Sequence, residues 1–194
     1  METFLKALQK YAPVSGEEGK YFYSFFERRE YKKNVVLLEE GQVAHEVFFV
    51  LHGVLRQFFF NEKGIEKTCN FAFEYEFLTD LESFSSQTRA PTSLVTLEPT
   101  ECLVITCKDV VECMGNSPAL NSLFSNIIEK VATDNIRRIK SLLSQSPEQQ
   151  LEELMHSKPG ILQRVPQRYI AQYLGIAPES LSRIRKRTML AAKT

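Results

Sequence analysis

The chain has 194 residues, enough for one large or two small domains and for a real hydrophobic core. Apolar residues make up 43% and charged residues 25%, the mix of a globular protein rather than a disordered or fibrous one. No apolar run approaches the ~20 residues that span a bilayer. The opening METFLKALQK lacks the basic and apolar regions of a signal peptide, so a cytoplasmic protein without a membrane partner is expected.

Net charge is zero, but it is unevenly distributed. Residues 161–194 hold seven basic residues (Arg164, Arg168, Arg183, Arg185, Lys186, Arg187 and Lys193) against Glu179 alone, which leaves that segment at +6 and the remainder at −6. A basic module on an acidic body suggests a polyanion as partner.

Residues 2–30 read as helical. Phe4, Leu5 and Leu8, then Tyr21, Phe22, Phe25 and Phe26, recur at helical spacing, with APVSGEEG as the break. From Tyr31 the chain turns β-branched and aromatic. Gly41, Gly53 and Gly64 punctuate it at intervals of 12 and 11, as in a sandwich or roll of short strands. FFFNEKGIE predicts a hairpin with Gly64 at the positive-φ position, and SLVTLEPTECLVIT predicts two strands around Pro99.

Ser117-Pro118 is a helix start. Neither Pro nor Gly then follows until Pro147. A helix over 118–143 would be about 39 Å long, too long to lie wholly under a small β domain. Phe124, Ile128, Val131, Asn135, Ile139 and Leu142 form its apolar stripe, which we expect to pair with a second copy, Asn135 fixing the register. Ser146-Pro147-Glu148 starts another helix and SKPG makes a turn.

The segment VPQRYIAQYLGIAPESLSRIRKR then carries the most specific pattern. Ile170, Ala171 and Leu174 share one helical face, and Gly175 opens a tight turn. Ile176 plugs the angle, Pro178 starts a second helix, and Leu181 and Ile184 pack it back on the first. This is the spacing of a helix-turn-helix. Its outward face holds Glu179, Ser180, Arg183, Lys186 and Arg187, suited to the major groove of double-stranded DNA.

With these motifs in place, the whole chain resembles the CRP/FNR family of bacterial transcription regulators. The resemblance implies an α+β fold in three parts. Residues 1–117 would be a double-stranded β-roll of the cyclic-nucleotide-binding type with N-terminal helices. Residues 118–143 would be the dimerisation helix, and 144–194 a winged-helix-like helix-turn-helix domain. SKPGILQRVP falls where the family has short strands. Only TMLAAKT follows the second helix, so the wing hairpin is expected to be missing.

The resemblance also implies roles. Pro178, Glu179, Ser180 and Arg183 would read bases, with Glu179 accepting from cytosine, Arg183 donating to guanine, and Pro178 in place of the family's first Arg. Gln167, Arg168, Arg185, Lys186 and Arg187 would meet phosphates. The expected partners are a palindromic operator, a second copy of the chain, and RNA polymerase.

The roll departs from the family in its phosphate-binding cassette. Thr79-Asp80 stands where the family has Gly-Glu, and Thr92-Ser93 where it has Arg-Ser. Pro91 removes an amide donor, and Arg89 lies three residues before the family's Arg. With Asn135, these residues (Thr79, Asp80, Arg89, Thr92 and Ser93) form the candidate ligand pocket, and the effector is expected not to be cyclic AMP.

No metal, haem or cofactor is expected. Cys69, Cys102, Cys107 and Cys113 are not spaced as ligands, and His45, His52 and His156 are scattered. An enzyme on a cupin-like roll would need clustered histidines and an acid, so a non-enzyme is expected. Two other readings remain open. One is a cyclic-nucleotide-responsive regulator that uses a shifted Arg89. The other is a ligand-binding module whose helix pair does not bind DNA.

Overall fold

A computed structural model describes residues 1–191, with side chains described through Arg187. Two short helices come first, α1 (Glu2–Leu8) and α2 (Gly16–Tyr23). The second is held by a capping box. Ser15 Oγ accepts from the Glu18 amide at 3.2 Å, and the Glu18 carboxylate accepts from the Ser15 amide at 3.0 Å.

The expected run of helix to residue 30 stops sooner. Residues Glu27–Tyr31 form strand β1, paired antiparallel with Thr100–Val104. The segment ERREY has no apolar stripe to hold a helix. As an edge strand it presents charges to solvent, with Arg29 donating to Glu27 and to Glu46 at 2.6–2.8 Å.

Seven more strands follow: β2 (Val36–Leu38), β3 (Glu46–His52), β4 (Leu55–Phe60), β5 (Glu66–Ala72), β6 (Phe77–Leu78), β7 (Ser93–Thr96) and β8 (Thr100–Thr106). They form two antiparallel four-stranded sheets, ordered β1-β8-β3-β6 and β2-β7-β4-β5. The β4–β5 hairpin turns with Gly64 at φ 68°, as expected. Gly53, between β3 and β4, sits at φ 107°, and a Cβ there would lie 2.5 Å from Thr100 Oγ1. Only glycine fits that close approach.

Side chains alternate along each strand and serve two cores. Phe48, Val50, Cys102 and Val104 point between the sheets, where they meet Leu38, Leu55 and Leu94. Phe49, Leu103 and Ile105 point outward and pack under the helices with Phe4, Phe22, Leu120 and Leu123. Both faces of β3 and β8 are therefore covered, which explains their continuous apolar runs.

Two helices went unanticipated. The first is α3 (Leu81–Ser86), capped by Asp80, whose Oδ1 accepts from the Ser83 amide at 3.0 Å. The second is α4 (Cys107–Asn116), capped by Thr106, whose Oγ1 accepts from the Asp109 amide at 3.2 Å. Thr106-x-x-Asp109 was the legible signal for it. Burial pushes the thiols of Cys102 and Cys113 up to about 12 and about 11, which leaves them inert packing groups.

Helix α5 (Pro118–Ser144) starts where the sequence indicates, with Ser117 accepting from the Leu120 amide at 3.3 Å. It is followed by α6 (Pro147–Ser157), α7 (Ile161–Arg164), α8 (Gln167–Leu174) and α9 (Pro178–Ala191). The short strands expected at SKPGILQRVP are absent. Gly160 at φ 85° instead turns the chain into α7, and Ile161 and Val165 are buried there. The expectation of a missing wing rests on the last residues, of which 192–194 lie outside the described ones. Among the described residues, no helix is long and apolar enough to cross a membrane.

Candidate functional site

Helices α8 and α9 meet across a turn at Gly175, which sits at φ 70° and ends α8. The Ile176 amide donates to the Ala171 carbonyl at 3.0 Å, which fixes the turn. Ile170, Ala171, Leu174, Leu181 and Ile184 are all buried, and Ile176 packs against them. Each position singled out in the sequence thus has the packing role its spacing implied.

The outward face of α9 carries Pro178, Glu179, Arg183, Lys186 and Arg187 exposed to solvent. Ser180 is half-buried and accepts from Arg183 Nη2 at 3.2 Å. Arg187 donates to the Glu148 carboxylate on α6. Arg168 lies exposed on α8, stacked over the Tyr169 ring at 4.6 Å. Arg185 is half-buried on α9, in a cleft with Gln167, Ser182 and Lys186, and its Nε has no hydrogen-bond partner among the described residues.

The helix pair is docked on the roll through one shared core: Val54, Phe71, Phe73 and Leu97 pack with Leu151, Leu154, Ile170 and Leu174. Polar contacts reinforce it. Arg56 on β4 is 1% exposed, a position sequence reasoning missed because an arginine in a strand reads as surface. Its guanidinium donates to Thr68, Glu66 and Gln172 at 2.8–2.9 Å and lies 3.7 Å from the Tyr169 ring centroid. Arg164 on α7 donates to Glu74 at 2.6 and 2.8 Å and to Glu98. Burial alone would push the Glu74 carboxyl up, but the Arg164 guanidinium and the Gly53 amide outweigh it and hold it at about 2.

Within the cassette Asp80 and Thr92 meet, and Thr79 and Ser93 are bound to backbone groups of other segments. Asp80 is buried. One carboxylate oxygen caps α3 and the other accepts from Thr92 Oγ1. Thr92 in turn accepts from Gln57 Nε2 at 2.8 Å. Thr79 Oγ1 donates to the Glu46 carbonyl at 2.8 Å, and Ser93 Oγ accepts from the Glu40 amide at 2.9 Å. Arg89 is exposed, and among the described residues no hydrogen bond or ion pair engages its side chain. Asn135 stands apart from this cluster, on α5.

The α5 stripe divides. Ile128, Ile139 and Leu142 are 44–56% exposed, joined by Ile136 at 54% and Leu143 at 83%, two residues the sequence reading left out. Phe124 is half-buried and packs edge-on to Phe22 at 5.3 Å. Val131 is half-buried and turned toward the body.

Residues 28–117 match the family model of the cyclic nucleotide-binding domain. The whole chain superposes on solved regulators at low identity. FixK2 from Bradyrhizobium japonicum matches with a TM-score of 0.72 at 15% identity, over 86% of each chain. The c-di-GMP responsive global regulator CLP of Xanthomonas campestris matches at 0.69 and 16%, over 92% of this chain and 93% of that one. The catabolite activator protein of Thermus thermophilus matches at 0.61 and 19%, over 96% and 88%. The fold is CRP/FNR-like. No curated protein sequence matches the chain.

Proposed function

We propose that this protein is a homodimeric, sequence-specific DNA-binding transcription regulator of the CRP/FNR type whose effector is not cyclic AMP. The observation that carries the reading is the α8–α9 pair. A glycine turn in the left-handed conformation sets two helices on one buried core, and Glu179, Arg183, Lys186 and Arg187 are exposed on the outer face. A helix with such a face fits the major groove, its N-terminal residues meeting base edges and its later cations meeting phosphates. Arg168 and Lys186 stand ready as phosphate contacts. Arg187 serves once it leaves Glu148.

The exposed apolar stripe of α5 supports the dimer. Ile128, Ile136, Ile139, Leu142 and Leu143 form a surface that a single chain leaves in water. Two copies joined there would present two α9 helices to half-sites about one helical turn, roughly 34 Å, apart.

The cassette supports the exclusion of cyclic AMP. A buried phosphate needs fixed donors. Here Thr92 replaces the arginine and donates to Asp80, so both partners are already engaged.

Selection from random duplexes tests the DNA reading. The protein should enrich a palindrome, and Arg183→Ala should weaken it by about 1–3 kcal/mol and relax one base pair per half-site. Unchanged affinity and base preference in that variant would sink the proposed docking. Titration calorimetry with cyclic AMP should show no saturable heat; a micromolar signal lost in Arg89→Ala would show that a shifted Arg89 serves the phosphate.

A further inference from the structure

Strand β5 and helices α5, α6 and α8 border a half-open cavity of about 380 Å3, within the span of small-molecule sites, roughly 300–1,000 Å3. It is separate from the cassette, since Thr79, Asp80, Arg89, Thr92 and Ser93 do not line it. Val131 and Asn135 of the α5 stripe line it, whereas the exposed apolar members Ile128, Ile136, Ile139 and Leu142 do not. Of the sequence-predicted pocket residues only Asn135 reaches it.

Most charges in its wall are paired. Asp134 holds Lys130 and Arg137, and Glu76 holds Lys158. Arg138 makes no ion pair within 4 Å among the described residues, and the Glu153 carboxylate, also in the wall, acts on its charge only from a distance. Its guanidinium lies 3.8 Å from the Tyr173 ring centroid and donates to the Tyr173 carbonyl. Burial lowers its pKa from the ordinary arginine value, the mark of a cation stripped of water. Gln150 gives a second, independent signal. It is 6% exposed, and its Nε2 donates to the Gln145 and Ser141 carbonyls at 3.1 and 3.4 Å. Its Oε1 is buried with no donor among the described residues. Such an orphan acceptor in a polar cavity is costly unless a partner arrives. Tyr11, Phe71, Phe77 and Tyr173 supply ring surface.

We propose that this cavity binds a small aromatic carboxylate carrying a ring hydroxyl. Its carboxylate would pair with Arg138, its ring would lie against the aromatic wall, and its hydroxyl would donate to Gln150 Oε1. The walls come from the roll, α5 and the C-terminal helices together, so an occupant would hold the α8–α9 pair against the roll.

Titration calorimetry on the full chain tests this with three probes of one shape: 4-hydroxyphenylacetate, the neutral 4-hydroxyphenylethanol and the cationic tyramine. The acid should bind saturably, the alcohol at least about tenfold more weakly, and the amine not at all. Arg138→Gln should weaken the acid by at least about tenfold, Arg138→Lys by less, and Arg89→Ala in the cassette should change nothing. Melting curves confirm that each variant is folded. Should Arg138→Gln not fold, Gln150→Met removes only the acceptor and must also weaken the acid. No saturable heat with the acid, equal binding of acid and amine, or parent-like binding by both Arg138→Gln and Gln150→Met would overturn the proposal. No DNA enters these measurements, so their outcome is independent of the DNA-binding reading.

Discussion

The outer face of α9 and the cassette of the roll both gather polar residues, and they treat those residues in opposite ways. On α9 the cations point to water, and the one engaged in an ion pair, Arg187, uses an exposed partner. In the cassette Gln57, Thr92 and Asp80 are linked to one another, and Asp80 and Thr79 are further engaged by the Ser83 amide and the Glu46 carbonyl. A binding surface keeps its hydrogen-bonding capacity available, whereas a structural cluster consumes it internally. Residue types alone do not separate the two cases. Partners do.

The largest effect should come from the α5 stripe, which makes the α9 face useful only in duplicate. Ile139→Asp or Ile128→Asp puts an unpaired charge in the proposed seam. We expect monomers by light scattering and operator affinity lower by on the order of a hundredfold or more, since one half-site then binds alone. Dimers persisting in both variants would place the interface on another surface and remove the stripe from the comparison.

The docking of the helix pair on the roll should show a pH dependence. Glu74 is held near 2 by Arg164 and the Gly53 amide, below the ordinary glutamate value of 4.5. A depressed carboxyl stabilises above its unfolded pKa and loses that contribution as pH falls toward the folded value. Stability should therefore fall between about pH 5 and pH 2, by roughly 2 kcal/mol after allowance for solvent screening. Glu74→Gln should be less stable than the parent at pH 7, and the two should converge in thermal melts near pH 2–3. A constant difference across that range would mean that Glu74 acts through packing alone.

The cassette should respond as a structural element. Asp80→Ala removes the α3 cap and leaves Thr92 without its acceptor, at a cost of about 1–2 kcal/mol. The melting temperature should fall while operator affinity in the cold stays unchanged. A variant that instead alters DNA affinity would show that the cluster communicates with α9, and the contrast between the two regions would weaken.

How much of this was legible follows from locality. The helix pair was readable position by position, since Ile170, Ala171, Leu174, Gly175, Leu181 and Ile184 lie within 15 residues and obey one period. The two-sheet roll was readable as a class from its turns and strands. What stayed hidden was tertiary. Strand β1 owes its form to pairing with β8, and Arg56 is buried only because α8 closes over it. Phe124 obeys the α5 stripe by period, yet Phe22, a hundred residues away, takes it for the inner core. The Asp80–Thr92 pair spans a helix that the sequence reading did not anticipate.

The smallest effect sharpens the comparison most, because it tests whether α9 keeps its capacity in reserve. Arg187 and Glu148 are 68% and 40% exposed, so their pairing contributes little to stability. Glu148→Gln should leave the melting temperature nearly unchanged. It frees Arg187 for a phosphate, and binding to operator and to unrelated duplexes should rise together, by less than about fivefold at low salt. The slope of log affinity against log salt should steepen by at most about one unit for each added phosphate contact. Arg187→Ala should move both quantities the other way, without a change in base preference. If Glu148→Gln left affinity and salt slope untouched while Arg187→Ala reduced both, Arg187 would already reach phosphate in the parent, and its pairing with Glu148 would belong to the free protein only. If neither substitution moved them, Arg187 would lie outside the footprint, and the DNA-facing part of α9 would end at Lys186.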